Sequence, residues 1–262
     1  MKNIYSENYI ASCLAALDKY DIGEPVMAFR SRSILAAGDE VEVPSKGSIV
    51  GEGIISFSGN LSGVNRSDAQ NAFHYASLVA NKQFPHENQG REWYALFREV
   101  MTNTGWTPIS RYYNDLEVSG TSVRMDKLVL EILASVVTGL AVPGPATALM
   151  LKTAGDAIAA LQKRDTALTL YERNLLKQGV GGVTVGSCTE VNGVAVFGIG
   201  AVRFTRRNSS TKVMFVDTDV RNVNMYRGET AFEKNDMLAE ATRKKIADAL
   251  VKYSADKLDY DI

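Results

Sequence analysis

Cys188 is the residue in this sequence whose setting calls for a chemical explanation. A cysteine can serve as a thiolate nucleophile, a metal ligand, a redox centre or a point of covalent attachment. This one lies in Gly186-Ser187-Cys188, inside an apolar run that Asn192-Gly193 interrupts. Asn-Gly is the strongest two-residue hairpin signal, so residues 183–191 and 194–206 are expected to pair as antiparallel strands. A two-residue turn sets Cys188 opposite Phe197 with both side chains on one side of the sheet. The same face then carries Thr184, Gly186 and Glu190 on one strand, and Ala195, Ile199, Ala201 and Arg203 on the other. Small residues beside a thiol leave volume that a close-packed interior does not tolerate, so either a helix presses in tightly or a ligand fills the space. From these residues alone two readings stand: an inert buried cysteine, or one that holds something.

Other chemistry-bearing residues have plainer explanations. Cys13 falls within an N-terminal helical pattern, where a free cysteine behaves as a small hydrophobe. His74 lies in another helical stretch and His86 beside Pro85, and neither has a partner motif. Gly179, Gly181, Gly182 and Gly186 superficially resemble a phosphate loop, but a strand follows them where a dinucleotide fingerprint needs a helix. Asp217 and Asp219 sit among turn-forming residues. No H-E-x-x-H, G-x-x-x-x-G-K-[ST] or G-x-S-x-G motif is present. Two histidines and two cysteines leave little room for a metal site, and no metal partner is expected.

The elements that position Cys188 follow from periodicity. Ile10, Leu14, Leu17 and Tyr20 mark a first helix behind Ser6 as its cap. Residues 26–29, 41–43 and 54–57 read as short strands among glycines. Helices are expected over 67–83 and 91–102, then an extended segment over 106–118 in which Pro108 argues for a sheet edge. Residues 126–162 read as a helical hairpin, capped by Asp126 and turned at Val142-Pro143-Gly144-Pro145. Between Leu128 and Leu151 its only charge is Glu131, so it must be buried in protein or enter lipid. This hairpin is the natural cover for the Cys188 face, which places Leu128, Ile132 and Leu133 beside Gly186, Phe197, Ile199 and Ala201. A strand over 212–217 and a long amphipathic helix over 230–257 complete the chain. The expectation is one α+β domain over residues 1–262, with an antiparallel sheet near 183–217 packed against several helices.

Composition narrows the function classes. With 262 residues, 45% of them hydrophobic and 23% charged, the chain can build a sizeable core. Lys plus Arg number 29 against 30 Asp plus Glu, which gives no electrostatic basis for nucleic-acid binding. The N-terminus shows no secretory pattern and no long apolar run follows. The expected location is therefore the cytoplasm of the producing cell, with any release taking a route that needs no N-terminal signal.

Three stretches together resemble the Erwinia virulence factor family. They are Trp93-Tyr94 with Gly105-Trp106, the segment Asp126-Lys127-Leu128-Val129-Leu130-Glu131-Ile132-Leu133, and Val185-Gly186-Ser187-Cys188 followed by Asn192-Gly193. The resemblance covers roughly residues 67–203, whereas 1–66 and 207–262 match nothing nameable. It implies a compact fold in which a cysteine carries a thioester-linked palmitoyl chain inside a hydrophobic tunnel; matched by motif, that cysteine is Cys188. About fourteen methylenes at about 0.8 kcal/mol each amount to on the order of 11 kcal/mol of burial free energy. A protein tunnel and a bilayer supply nearly the same apolar surroundings, so such a chain could pass from one to the other at a host membrane. A single acyl chain anchors only marginally. The 126–162 hairpin is the candidate second element.

The resulting expectation is a non-enzymatic, toxin-like virulence protein whose partners are a fatty acyl chain and a host lipid membrane. One alternative is a pore former that inserts the hairpin without lipid. Another is an acyltransferase using Cys188 as nucleophile. The latter needs a lowered thiol pKa, which Glu190 on the same face would oppose.

Overall fold

A computed structural model describes residues 4–25, 45–116, 122–140, 142–178, 181–204, 214–219 and 224–262. In chain order the elements are α1 (Ile4–Leu17), β1 (Lys46–Val50), β2 (Gly53–Phe57), α2 (Gly63–Gln83), α3 (Gly90–Asn103), β3 (Trp106–Asp115), β4 (Ser122–Val123), α4 (Met125–Thr138) and α5 (Gly144–Gln162). They continue with α6 (Asp165–Gln178), β5 (Gly181–Val191), β6 (Val194–Phe204), β7 (Thr218–Asp219), β8 (Met225–Lys234), α7 (Asp236–Leu250) and β9 (Lys257–Asp261). The fold is α+β, as the residue pattern implied.

Among the described residues, seven strands form one sheet in the order β3-β8-β6-β5-β2-β1-β9, and β4 pairs with β7 separately. Every neighbour in the large sheet is antiparallel except β2 and β5, which run parallel. The β5–β6 hairpin turns at Asn192 (φ 51°) and Gly193 (φ 81°), the left-handed pair that a tight hairpin turn requires. Its register sets Cys188 opposite Phe197 and Gly186 opposite Ile199, as the turn demanded. β3 lies at the sheet edge, with its register shift between Pro108 and Ser110. Proline has no amide to give a ladder, so its edge position is the expected one.

Helices cover both faces. On one, Phe57, Cys188, Phe197, Ile199 and Phe232 meet α2 and α3 through Phe73, Trp93, Tyr94 and Phe97. On the other, Val185, Val196, Val202 and Ala231 meet α4, α5 and α6. Helix starts follow local chemistry. Ser62 Oγ accepts from the Asn65 amide at 3.1 Å, and Asn235 Oδ1 accepts from the Leu238 amide at 3.2 Å.

Several expectations change. Ser6 lies inside α1 and is not its cap. The expected strands at 26–29 and 41–43 fall outside the described residues. Of 212–217, residues 214–216 form bends and no strand. The helix expected over 230–257 is instead the end of β8, then α7, a 3-10 turn over 251–256, and β9. Thr230 and Phe232 belong to a strand because β8 fills the position between β3 and β6, and the Asn235 cap starts the helix only after it. Helix α6 adds an element beyond those expected, with Ala167, Tyr171 and Leu175 spaced four apart and all buried.

Candidate functional site

Cys188 occupies the middle of an aromatic row. Across the sheet it is flanked by Phe57 on β2 and Phe197 on β6, and Phe232 on β8 follows in the same row. All four side chains are fully buried. Phe197 packs edge-on to Trp106 with ring centroids 5.6 Å apart, and tilted against Phe73 at 6.4 Å. The glycine two residues before the cysteine is part of this packing: a Cβ at Gly186 would stand 2.5 Å from Phe197 Cε2. The ring thus takes the space that the small residue leaves.

Burial pushes the Cys188 thiol well above its ordinary pKa; the positive charge of Lys234 opposes that shift and Glu190 adds to it. The thiol therefore stays protonated at neutral pH. An activated nucleophile requires the opposite arrangement. Glu190 accepts a hydrogen bond from Asn65 Nδ2 at 3.0 Å, and the Asn65 carbonyl oxygen accepts one from Lys234.

The expected lining residues divide between the two faces. Gly186, Phe197, Ile199 and Ala201 share the Cys188 face. Leu128, Ile132 and Leu133 are on the opposite side of the sheet, so the 126–162 hairpin does not cover Cys188. The physical reason is that β6 is apolar on both faces and glycine on one. A Cβ at Gly200 would lie 2.9 Å from the Leu133 backbone nitrogen, and one at Gly198 would lie 3.0 Å from Val137 Cγ2. Helix α4 can approach the sheet backbone only over these two glycines. α2 and α3, carrying the large rings, take the other face. Leu128 and Ile132 also border a cleft of about 480 Å³ together with Arg124, Lys127, Glu131, Asp217 and Arg227.

The remaining candidates are structural in placement. Cys13 is buried in α1. His74 is buried on α2, edge-on to Tyr253 with centroids 6.0 Å apart, and His86 precedes a 3-10 turn. Gly182 lies in β5, where a Cβ would meet the Arg203 side chain at 2.8 Å, while Gly179 lies outside the described residues. Asp219 belongs to the short strand β7. Among the described residues no group of three or more His, Cys, Asp or Glu is placed to hold a metal. Among them, too, no helix is long and apolar enough to cross a membrane.

Two buried ionic clusters are the features that sequence patterning passed over. Arg203 Nη2 meets Glu52 Oε1 at 2.7 Å, with both side chains 3% exposed, and the guanidinium lies 3.7 Å from the Trp93 ring centre. Trp93 in turn donates to Asn81 Oδ1 at 2.6 Å. In the second cluster Asp68 accepts a two-pronged contact from Arg243, at 2.7 and 2.9 Å, and a third from Lys234 at 2.9 Å. A lone arginine within the apolar run of β6, and a lysine ending β8, are the sequence signals that a buried partner must exist.

This geometry defines a two-faced α+β protein with a sealed aromatic layer around a protonated cysteine. Compared with known proteins, the chain is similar to the solved structure of the Evf virulence factor, with a TM-score of 0.33 and 13% sequence identity over 78% of this chain and 82% of that one. No protein-family model matches the chain, and no curated protein matches it.

Proposed function

We propose that this is a non-enzymatic protein of the virulence-effector type in which Cys188 carries a fatty acyl chain as a thioester, and which acts at a host membrane. The observation that carries the reading is the place of Cys188: a fully buried thiol between Phe57 and Phe197, where a thioester would be shielded from water. The motif resemblance at Gly186-Ser187-Cys188 points to the same residue. A thioester is stable where neither water nor a competing nucleophile reaches it, and this layer excludes both. Two consequences follow from the packing. With no exposure in the folded protein, Cys188 must meet its acyl donor before α2 and α3 close over the sheet. An acyl chain there would also displace the Phe197 ring from the space over Gly186.

Intact-mass spectrometry of the natively produced protein tests the proposal. The expected result is an adduct on Cys188 that neutral hydroxylamine removes and that Cys188→Ser lacks. An unmodified mass from the native source overturns it.

A further inference from the structure

We propose that the Gly51–Glu52 turn encloses a site for a single ordered water, held by Asn174 of α6 and Ser77 of α2. The site lies at the end of the sheet where the turn between β1 and β2 meets these two helices. A cavity of about 10 Å³ is lined there by Gly51, Glu52, Ser77, Asn81, Asn174 and Asp256, with the His74 ring also on its wall. That is the room one water needs, and too little for a larger ligand.

The side chains around it make the case. Asn174 is 2% exposed, and its Nδ2 donates to the Gly51 carbonyl at 2.7 Å and to the Asp256 carbonyl at 3.1 Å. Those two acceptors fix the amide orientation, because a flipped amide would set oxygen against two oxygens. The Asn174 Oδ1 is thereby turned away from both carbonyls and has no donor among the described residues. Ser77, 3% exposed, has a hydroxyl equally without a partner among them. A buried polar atom left unsatisfied costs about 1–3 kcal/mol, so two beside one cavity point to a shared partner.

Water fits, whereas a hard cation takes about six or more oxygen ligands, more than Asn174 Oδ1, Ser77 Oγ and Glu52 Oε2 can supply. The acceptor Asn174 Oδ1 needs a proton, and the Ser77 hydroxyl can either give or take one. A water supplies a proton to Asn174 and still engages Ser77. Its second proton can serve the Glu52 carboxylate, whose Oε2 among the described residues receives a long 3.4 Å contact from Asn81 Nδ2. The other carboxylate oxygen is already held by Arg203. The water thus ties α2 to α6 through the turn that carries the buried Glu52.

A high-resolution crystal structure of the full chain tests the site. The expected result is one solvent peak at roughly 2.7–3.2 Å from both Asn174 Oδ1 and Ser77 Oγ. A site without density overturns the proposal, as does a peak at the roughly 2.3–2.6 Å contacts of a bound cation. In solution, an exchange-independent water cross-peak to the Asn174 side-chain amide protons is expected in the native protein. Ser77→Val, which fills the cavity with methyl groups, should abolish it; persistence in a folded Ser77→Val variant overturns the assignment.

Discussion

Cys188 and Phe197 face each other across the β5–β6 hairpin, and the Phe197 ring extends over Gly186, two residues from the cysteine. The cysteine, its aromatic neighbour and the glycine form one packing unit, so a change at any of them is felt at the others.

Gly186→Ala places a methyl group 2.5 Å from Phe197 Cε2, which the ring must vacate. Overpacking of this kind costs about 1–3 kcal/mol. Denaturant unfolding should register that loss, and Phe197→Leu combined with Gly186→Ala should recover part of it. Strict additivity of the two changes would contradict the shared packing.

Gly200→Ala probes the opposite face. The added carbon would meet the Leu133 backbone at 2.9 Å, and a helix backbone cannot swing aside as a side chain can. A loss of about 1–3 kcal/mol is expected from forcing α4 off the sheet. Because this contact lies on the other side of the sheet from Gly186, the two glycine variants should destabilise independently in a double-mutant cycle.

Glu52→Gln removes the charge partner of Arg203 while keeping the shape of the side chain. Both groups are 3% exposed, so the guanidinium would be left buried without a counter-charge. Breaking such a pair costs on the order of 3–5 kcal/mol, far beyond what a surface pair contributes. A midpoint of urea unfolding unchanged from the native protein would refute the buried pair.

In the unacylated protein, alkaline pH should destabilise the fold in two stages. Burial raises the Cys188 thiol in the folded state, whereas the unfolded thiol titrates near about 8.5. The stability this group contributes is complete below that value and falls as pH rises above it, because only the unfolded state then releases the proton. Tyr75 and Tyr253, each raised to about 12, add the same effect above about pH 10. Unfolding free energy measured from pH 7 to 11 should fall progressively. Cys188→Ala should flatten the part between about pH 8.5 and 10. In the unacylated protein at pH 8, alkylating reagents should label Cys188 only when the fold opens.

Much of this molecule is written locally. The Asn192-Gly193 turn dictates the hairpin register, because only residues tolerant of positive φ make that turn and its length leaves one pairing. Pro108 consigns β3 to an edge, and spaced apolar residues mark α2, α3 and the α4–α5 hairpin. The partition of the helices between the sheet faces could not be read this way. β6 alternates Phe197, Ile199 and Ala201 with Val196, Gly198 and Val202, so neither face is polar and periodicity has nothing to choose between. Long-range packing made the choice: α4 fits where glycines bring the strand backbone within reach, and the rings of α2 and α3 fit where Phe57, Phe197 and Phe232 project. The Arg203–Glu52 pair was hidden for the same reason. Its partners are 151 positions apart, and a charge reveals its counter-ion only once the chain has folded them together.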